Sequence, residues 1–241
     1  MKKTFLLICV CILTLSCVNA QWGNNERVKG NGDMVSKTRT TEPYDEIKLV
    51  GSMNVQLVAG QEGNIIVEAE SNLQEYILTE VKNGALKIST KDGFNLSPKD
   101  EILITVPFES LDAVSVTGSG DMWTKDKISS SKLQIQVTGS GDMKLELEVK
   151  DLEGRITGSG DVQLKGKSKN FDCKVTGSGD FNAYDLFAEN VEAKVAGSGD
   201  IMVNAKNSLK ASVSGSGDIT YKGNPEKQDF NSHGSGSVSS H

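Results

Sequence analysis

Proline, histidine and aromatic side chains are scarce: 241 residues hold four prolines and two histidines, and aromatics make up 5%. So few prolines leave little to interrupt strand pairing, since proline removes a ladder donor. The histidines, His233 and His241, both stand near the end of the sequence, which excludes a His-rich metal site and places them badly for acid–base catalysis. Cysteine is equally uninformative as a scaffold. Of the four, Cys9, Cys11 and Cys17 crowd the start, and a lone Cys173 cannot form an internal disulfide, so it reads as a buried core thiol rather than a nucleophile. A basic excess is lacking too: 26 basic against 32 acidic residues give a formal charge of −6, which argues against nucleic acid as a partner. The one sustained apolar run, Phe5 to Leu15, is too short to cross a bilayer as a helix.

What the sequence does have is a repeat. Gly-Ser-Gly-Asp begins at Gly118, Gly139, Gly158, Gly177, Gly197 and Gly215, at intervals of 21, 19, 19, 20 and 18 residues. Periods near twenty imply stacked units, and apolar residues alternate with polar ones on both sides of each copy, the two-residue period of a strand. Two residues before the first glycine come Val116, Val137, Ile156, Val175, Val195 and Val213; directly after the aspartate come Met122, Met143, Val162, Phe181, Ile201 and Ile219. Like residues stacked on like make columns of a narrow core, with strands about 4.8 Å apart. The reading is an all-β chain, a right-handed parallel β-helix (β-solenoid) of about 20 residues per coil.

The motif residues have local reasons to be there. Gly118, Gly120, Gly139, Gly141, Gly158, Gly160, Gly177, Gly179, Gly197, Gly199, Gly215 and Gly217 supply sharp corners or close backbone approach. Asp121, Asp142, Asp161, Asp180, Asp200 and Asp218 then form a ladder, and like charges roughly 5 Å apart repel by about 0.8 kcal/mol in water and about 3 kcal/mol at an effective dielectric of 20. Three offsets are open: capping of turn amides and the serine hydroxyl by each carboxylate, a row of bound Ca²⁺ or another hard cation, or a partner along the acidic edge.

The start of the chain indicates export. Lys2 and Lys3 precede the apolar run, and Val18-Asn19-Ala20 before Gln21 has the small-residue pattern of a signal peptidase site, making residues 1–20 a signal peptide. A degenerate lipobox, Thr14-Leu15-Ser16-Cys17, is the rival, in which Cys17 would be lipidated and tether the protein to a membrane. Cleavage after Ala20 takes away two lysines and no acids, moving the formal charge from −6 to −8.

Residues 21–42 read as a linker with a first strand, 43–222 as a single solenoid with its regular coils over 112–222, and 223–241 as a polar tail and partial coil ending in Gly234-Ser235-Gly236-Ser237. Gly30-Asn31-Gly32-Asp33 and Gly51-Ser52-Met53-Asn54 look like decayed copies of the motif. Strand alternation appears at Glu46 to Val50, Met53 to Val58, Ile65 to Ala69, Leu86 to Thr90 and Glu101 to Val106. One short helix is expected between them: Ser71 and Gln74 make a capping box, Leu73, Tyr76, Ile77 and Val81 share a face, and Asn83-Gly84 is its stop. Covering an open end of the core would be its role.

Gly-Ser-Gly-Asp followed by an apolar residue at this period, an exported leader, and a strand with proline such as Ile102 to Pro107 before the first full copy resemble the autotransporter-adhesin head GIN domain family, formerly a domain of unknown function of Bacteroidetes-type exported proteins. The resemblance spans roughly residues 43 to 222. It implies a β-helix shaped like pectin-lyase-type proteins but without their catalytic residues, and a role in adhesion or envelope structure. Fold alone does not establish function.

The residues favour an interaction module over an enzyme. Periodic aspartates mark scaffold rather than one localised site. Arg155, the one arginine of the repeat region, decorates a coil, and Lys144, Glu146, Glu148 and Lys150 mix signs along one strand as a soluble surface does. Catalytic residues and an obligatory cofactor are therefore not expected. The partner expected is a surface glycan or an envelope protein, and the aromatic residues available for contact are outward Trp123, with Tyr184 and Phe187 on a longer loop between coils. The alternative is a carbohydrate-binding or polysaccharide-processing β-helix protein.

Overall fold

The computed structural model describes residues 25–241; the expected signal peptide, its expected cleavage site and Cys17 lie outside them. The repeat region winds as a β-solenoid of about seven turns at about 19 residues per turn. Each coil is one long bent strand: β12 (Ile128–Gly139), β13 (Met143–Gly158), β14 (Val162–Gly177), β15 (Phe181–Gly197) and β16 (Ile201–Gly215). All five stack in parallel, and the register places Val137 against Ile156, Ile156 against Val175, and each motif glycine against the next. Inward residues of every column are buried, from Val114 and Val116 to Val213 and Ile219. Alternation slips once per coil. Val149 and Leu152 both face inward, so Lys150 and Asp151 form a second corner opposite the Gly-Ser-Gly-Asp corner.

The N-terminal half extends the same stack, out of chain order. Strands β3 (Glu46–Gly51) and β4 (Asn54–Ala59) form a coil that meets β10 (Ala113–Gly118) and β11 (Met122–Thr124) on one side. On its other side lie β7 (Ala85–Thr90) and β9 (Leu103–Phe108), with Ile88 against Leu49 and Ile104 against Val55. The intervening chain therefore travels outward and returns. Two antiparallel edges close that end: β2 (Met34–Thr40) pairs with β5 (Asn64–Glu70), itself antiparallel to β9, and β6 (Ile77–Lys82) pairs with β7.

The expected helix is replaced by a single 3-10 turn, Gln74–Tyr76, running into β6. Ile77 and Val81 are four apart, a spacing that keeps one face in a strand as well as in a helix. Asn83 (φ 53°) and Gly84 (φ 77°) form the turn of the β6–β7 hairpin, and Asn-Gly is the strongest short hairpin signal. Gln74 makes no capping box: its buried side chain donates Nε2 to the carbonyls of Val67 (2.9 Å) and Val35 (3.2 Å), while Arg39 Nη2 donates to the Gln74 carbonyl at 2.7 Å. Strands rather than a helix thus cover the open end.

One further expectation is corrected by position. Gly30-Asn31-Gly32-Asp33 is no coil corner; it follows β1 (Glu26–Lys29), which pairs with β8 (Phe94–Ser97) in a separate two-stranded sheet. There the Gly32 amide donates to the buried Glu70 carboxylate at 2.6 Å, and so does the Lys99 amide at 3.0 Å. The polar C-terminal stretch is strand, with β17 (Ile219–Lys222), β18 (Lys227–Gly234) and β19 (Val238–Ser240) continuing the stack.

Candidate functional site

The Gly-Ser-Gly-Asp corner is stitched in two ways between coils. Each leading glycine carbonyl accepts two amides from the coil after it: Gly139 takes Ser159 (2.8 Å) and Gly160 (3.1 Å), and Gly158 takes Ser178 (2.8 Å) and Gly179 (3.1 Å). The leading glycines have φ between 119° and 142°, a region closed to most side chains. The aspartates supply the second stitch. Asp142 N–H donates to Asp121 Oδ1, Asp161 to Asp142, Asp180 to Asp161, Asp200 to Asp180 and Asp218 to Asp200, all at 2.7 to 2.9 Å. Each carboxylate therefore caps the next coil, not its own turn, and the motif serines stand exposed beside it.

The ladder ends without charge. At its start Asn54 Oδ1 accepts the Asp121 amide at 2.9 Å while its Nδ2 donates to Glu101 at 2.7 Å, a pair of roles an aspartate could not fill. Gly51-Ser52-Met53-Asn54 is thus a corner of the stack. At the far end Ser237 donates both N–H and Oγ–H to Asp218 Oδ1. Amide-to-carboxylate bonds contribute roughly 1.5–3 kcal/mol each, the same order as the repulsion between neighbours. Asp161→Asn keeps the acceptor and removes charge, so its melting temperature should stay within about 2 °C of wild type. Asp161→Ala strands the Asp180 amide and should cost about 1–2 kcal/mol. Denaturant titration of the two variants compares them, and equal losses would refute capping as the ladder's role.

The second corner carries a ladder that the sequence reading missed. Asn170 Nδ2 donates to Asp151 Oδ1 (2.6 Å), Asn190 Nδ2 to Asn170 Oδ1 (3.0 Å) and Ser208 Oγ to Asn190 Oδ1 (2.8 Å). Beside it runs a groove of about 490 Å³, floored by Leu152, Phe171, Val191 and Leu209 and walled opposite the amides by Asp172, Glu192 and Lys210. Burial pushes the Asp172 carboxyl above its ordinary range, against the pull of Lys194. Glu192 is held low by Lys194, 2.5 Å away. A signal existed: Asp151, Asn170, Asn190 and Ser208 recur at the repeat period, but the flanking lysines and serines hide them among ordinary surface residues.

The other singled-out residues are dispersed. Trp123 is half-buried on β11. Tyr184 and Phe187 lie on no loop; both belong to β15, where Tyr184, Asp185 and Leu186 bulge from the pairing with β16. Tyr184 is half-buried and its hydroxyl donates to Thr220 Oγ1 at 2.6 Å, whereas Phe187 is exposed. Arg155 Nε donates to Glu153 at 2.9 Å on its own strand. Cys173 is fully buried, and burial raises its thiol pKa, which keeps it protonated and unreactive. His233 and His241 are exposed. Among the described residues no group of three His, Cys, Asp or Glu side chains is placed to hold a metal, and no helix is long and apolar enough to cross a membrane.

Solved structures share this architecture. An adhesin-described protein of Bacteroides fragilis superposes with a TM-score of 0.84 at 24% identity, covering 89% of this chain and 100% of that one. A protein of Parabacteroides distasonis named for lipid binding gives 0.75 at 29% identity, over 90% and 100% of the two chains. An adhesin-described protein of Parabacteroides merdae gives 0.72 at 23%, over 90% and 99%. No curated protein matches the sequence. The family model described as "Putative auto-transporter adhesin, head GIN domain" matches residues 43–225, the stretch that holds the capped coils and both ladders, and the chain belongs to that family.

Proposed function

We propose that this protein is an exported, non-enzymatic surface module of the adhesin type, a right-handed rod that docks an extended surface glycan or envelope protein along the groove of its second corner. The groove carries the reading. It crosses four successive coils, and its amide ladder repeats one hydrogen-bonding group per coil, so an occupant lying along the rod meets the same chemistry at each step. Parallel crossovers are almost always right-handed, hence the winding. The family and its adhesin-described neighbours support the role.

Replacing Asn170 and Asn190 together by alanine should weaken partner capture on a glycan array or in a cell-adherence assay at least about tenfold, each lost hydrogen bond being worth about 1 kcal/mol. Unchanged capture would refute the groove. Polysaccharide processing is the second reading, favoured by the raised Asp172 carboxyl beside Glu153 and Glu192; new reducing ends released from acidic polysaccharides would establish it. The lipid-binding name of the Parabacteroides distasonis protein suggests one more ligand class. Here the inward columns are filled, so such a ligand would meet the outer surface.

The aspartate ladder is proposed to need no cation, because every Oδ1 already holds an amide. Melting curves with Ca²⁺ and with chelator should then coincide, and a rise with Ca²⁺ would restore the cation reading. Mass spectrometry of the mature N-terminus separates cleavage after Ala20 from lipidation at Cys17.

A further inference from the structure

Phe187 is 63% exposed, far beyond the next large apolar side chain, Met34 at 42%. One exposed apolar residue is ordinary; three features make this one different. Phe187 sits at the foot of a bulge, since Ala183 pairs with Val203 and Phe187 with the very next residue, Asn204, so three residues of β15 have no partner on β16, although Asp185 and Leu186 keep theirs on β14. Bulges re-aim side chains and collect beside functional sites. The ring also borders a hollow of about 460 Å³, lined by Lys167, Glu189, Asn204, Lys206 and Asn224 as well as Phe187 itself. Finally, Lys206 forms no ion pair among the described residues, and Lys167, in register opposite Glu148, leaves the close contact with that carboxylate to Lys127. The Asn224 side chain makes no hydrogen bond among them either, and Asn204 spends only its Nδ2, on the Tyr184 carbonyl at 3.3 Å.

We propose that this hollow is a second binding site, separate from the axial groove, for a glycan residue that carries a carboxylate, a uronic-acid-type pyranose. The apolar C–H face of the sugar ring lies against Phe187, its carboxylate lies between Lys167 and Lys206, and its hydroxyls meet Asn204 Oδ1 and the side-chain amide of Asn224. An apolar platform with a few converging polar groups is the ordinary composition of a small-ligand site. Two lysines against one carboxylate, Glu189, leave the lining net positive, which favours an anionic occupant over a neutral one. A bilayer is the poorer fit, because a concave hollow with amide walls gives a flat lipid surface little to insert beside a single ring. The proposal deepens the adhesin reading by naming a glycan class, but it rests on different residues from the groove.

The test is calorimetric titration of the mature protein with an oligogalacturonate and with a neutral galactan oligosaccharide of the same length. Oligogalacturonate should bind, the neutral sugar should bind at least about tenfold more weakly, and added salt should weaken the former. Phe187→Ser, and separately Lys167→Gln with Lys206→Gln, should each weaken oligogalacturonate at least about tenfold. All three positions are exposed, so thermal melting should confirm intact folding. The groove variant Asn170→Ala/Asn190→Ala should bind oligogalacturonate as wild type does. No binding by wild type, equal binding of the neutral sugar, binding indifferent to these variants, or loss through the groove variant alone would each overturn the site. So would binding to phosphatidylglycerol vesicles, lost in Phe187→Ser, without binding to the sugar.

Discussion

Gly160→Ala is expected to cost at least about 4 kcal/mol, among the largest effects any single methyl group can have. The cause is close approach rather than an unusual dihedral. Gly160 has no positive φ, but a Cβ there would overlap the Gly141 carbonyl oxygen and stand 3.0 Å from Val137 Cγ1. Backbone on the coil below cannot move aside like a flexible side chain, because it is held by its own pair of bonds to Gly118. The coils must part instead, and parting lengthens the Ser159 and Gly160 bonds to Gly139 together with the Asp161 bond to Asp142. For a chain of this length about 4 kcal/mol corresponds to a fall of roughly 8 to 16 °C in melting temperature. Ser159→Ala, one residue away and exposed, should change stability by no more than about 0.5 kcal/mol. A Gly160→Ala protein that melts within about 2 °C of wild type would show that the coils are not stacked this tightly.

That contrast shows why so much of the fold was legible. A solenoid repeats its contacts at the repeat period, so a sequence that repeats chemistry, such as Val116, Val137, Ile156 and Val175, writes out its own neighbours. Where the repeat lapses, so does legibility. Residues 60–108 leave the coil and return on its far side, and no local signal states that β7 and β9 stack outside β3 and β4 while β10 stacks inside. The helix expected at Ser71 failed for a narrower reason: spacing of four residues suits both periods, and only the Asn83-Gly84 turn distinguishes them. Of the site, the aspartates were visible but their partner was not. An Asx side chain in a turn ordinarily bonds its own backbone, whereas here the next coil brings another amide within reach. The second ladder went unseen because Asp, Asn, Asn and Ser share a hydrogen-bonding role rather than an identity.

One irregularity in the columns yields the second large effect. The inward position four before each motif reads Val114, Ile135, Gly154, Cys173, Ala193 and Ala211, a gap where a side chain belongs. The position after the aspartate holds Phe181, the bulkiest fully buried residue, where the other coils have Met, Val or Ile. The two departures are one event: a Cβ on Gly154 would stand 2.6 Å from Phe181 Cζ, so the ring occupies the space that glycine vacates. Phe171, 5.6 Å from Phe181 between centroids, closes the same region. Phe181→Val alone should open a cavity and cost about 3 kcal/mol. Gly154→Val alone should overpack the core and cost about 1–3 kcal/mol. Combined, the two should cost less than either, since the new valine fills what the ring leaves and restores the aliphatic column, giving a coupling of at least about 3 kcal/mol in a double-mutant cycle measured by urea denaturation. Costs that add to within about 0.5 kcal/mol would mean that the ring and the glycine do not share the space, and that the core tolerates its gap in some other way.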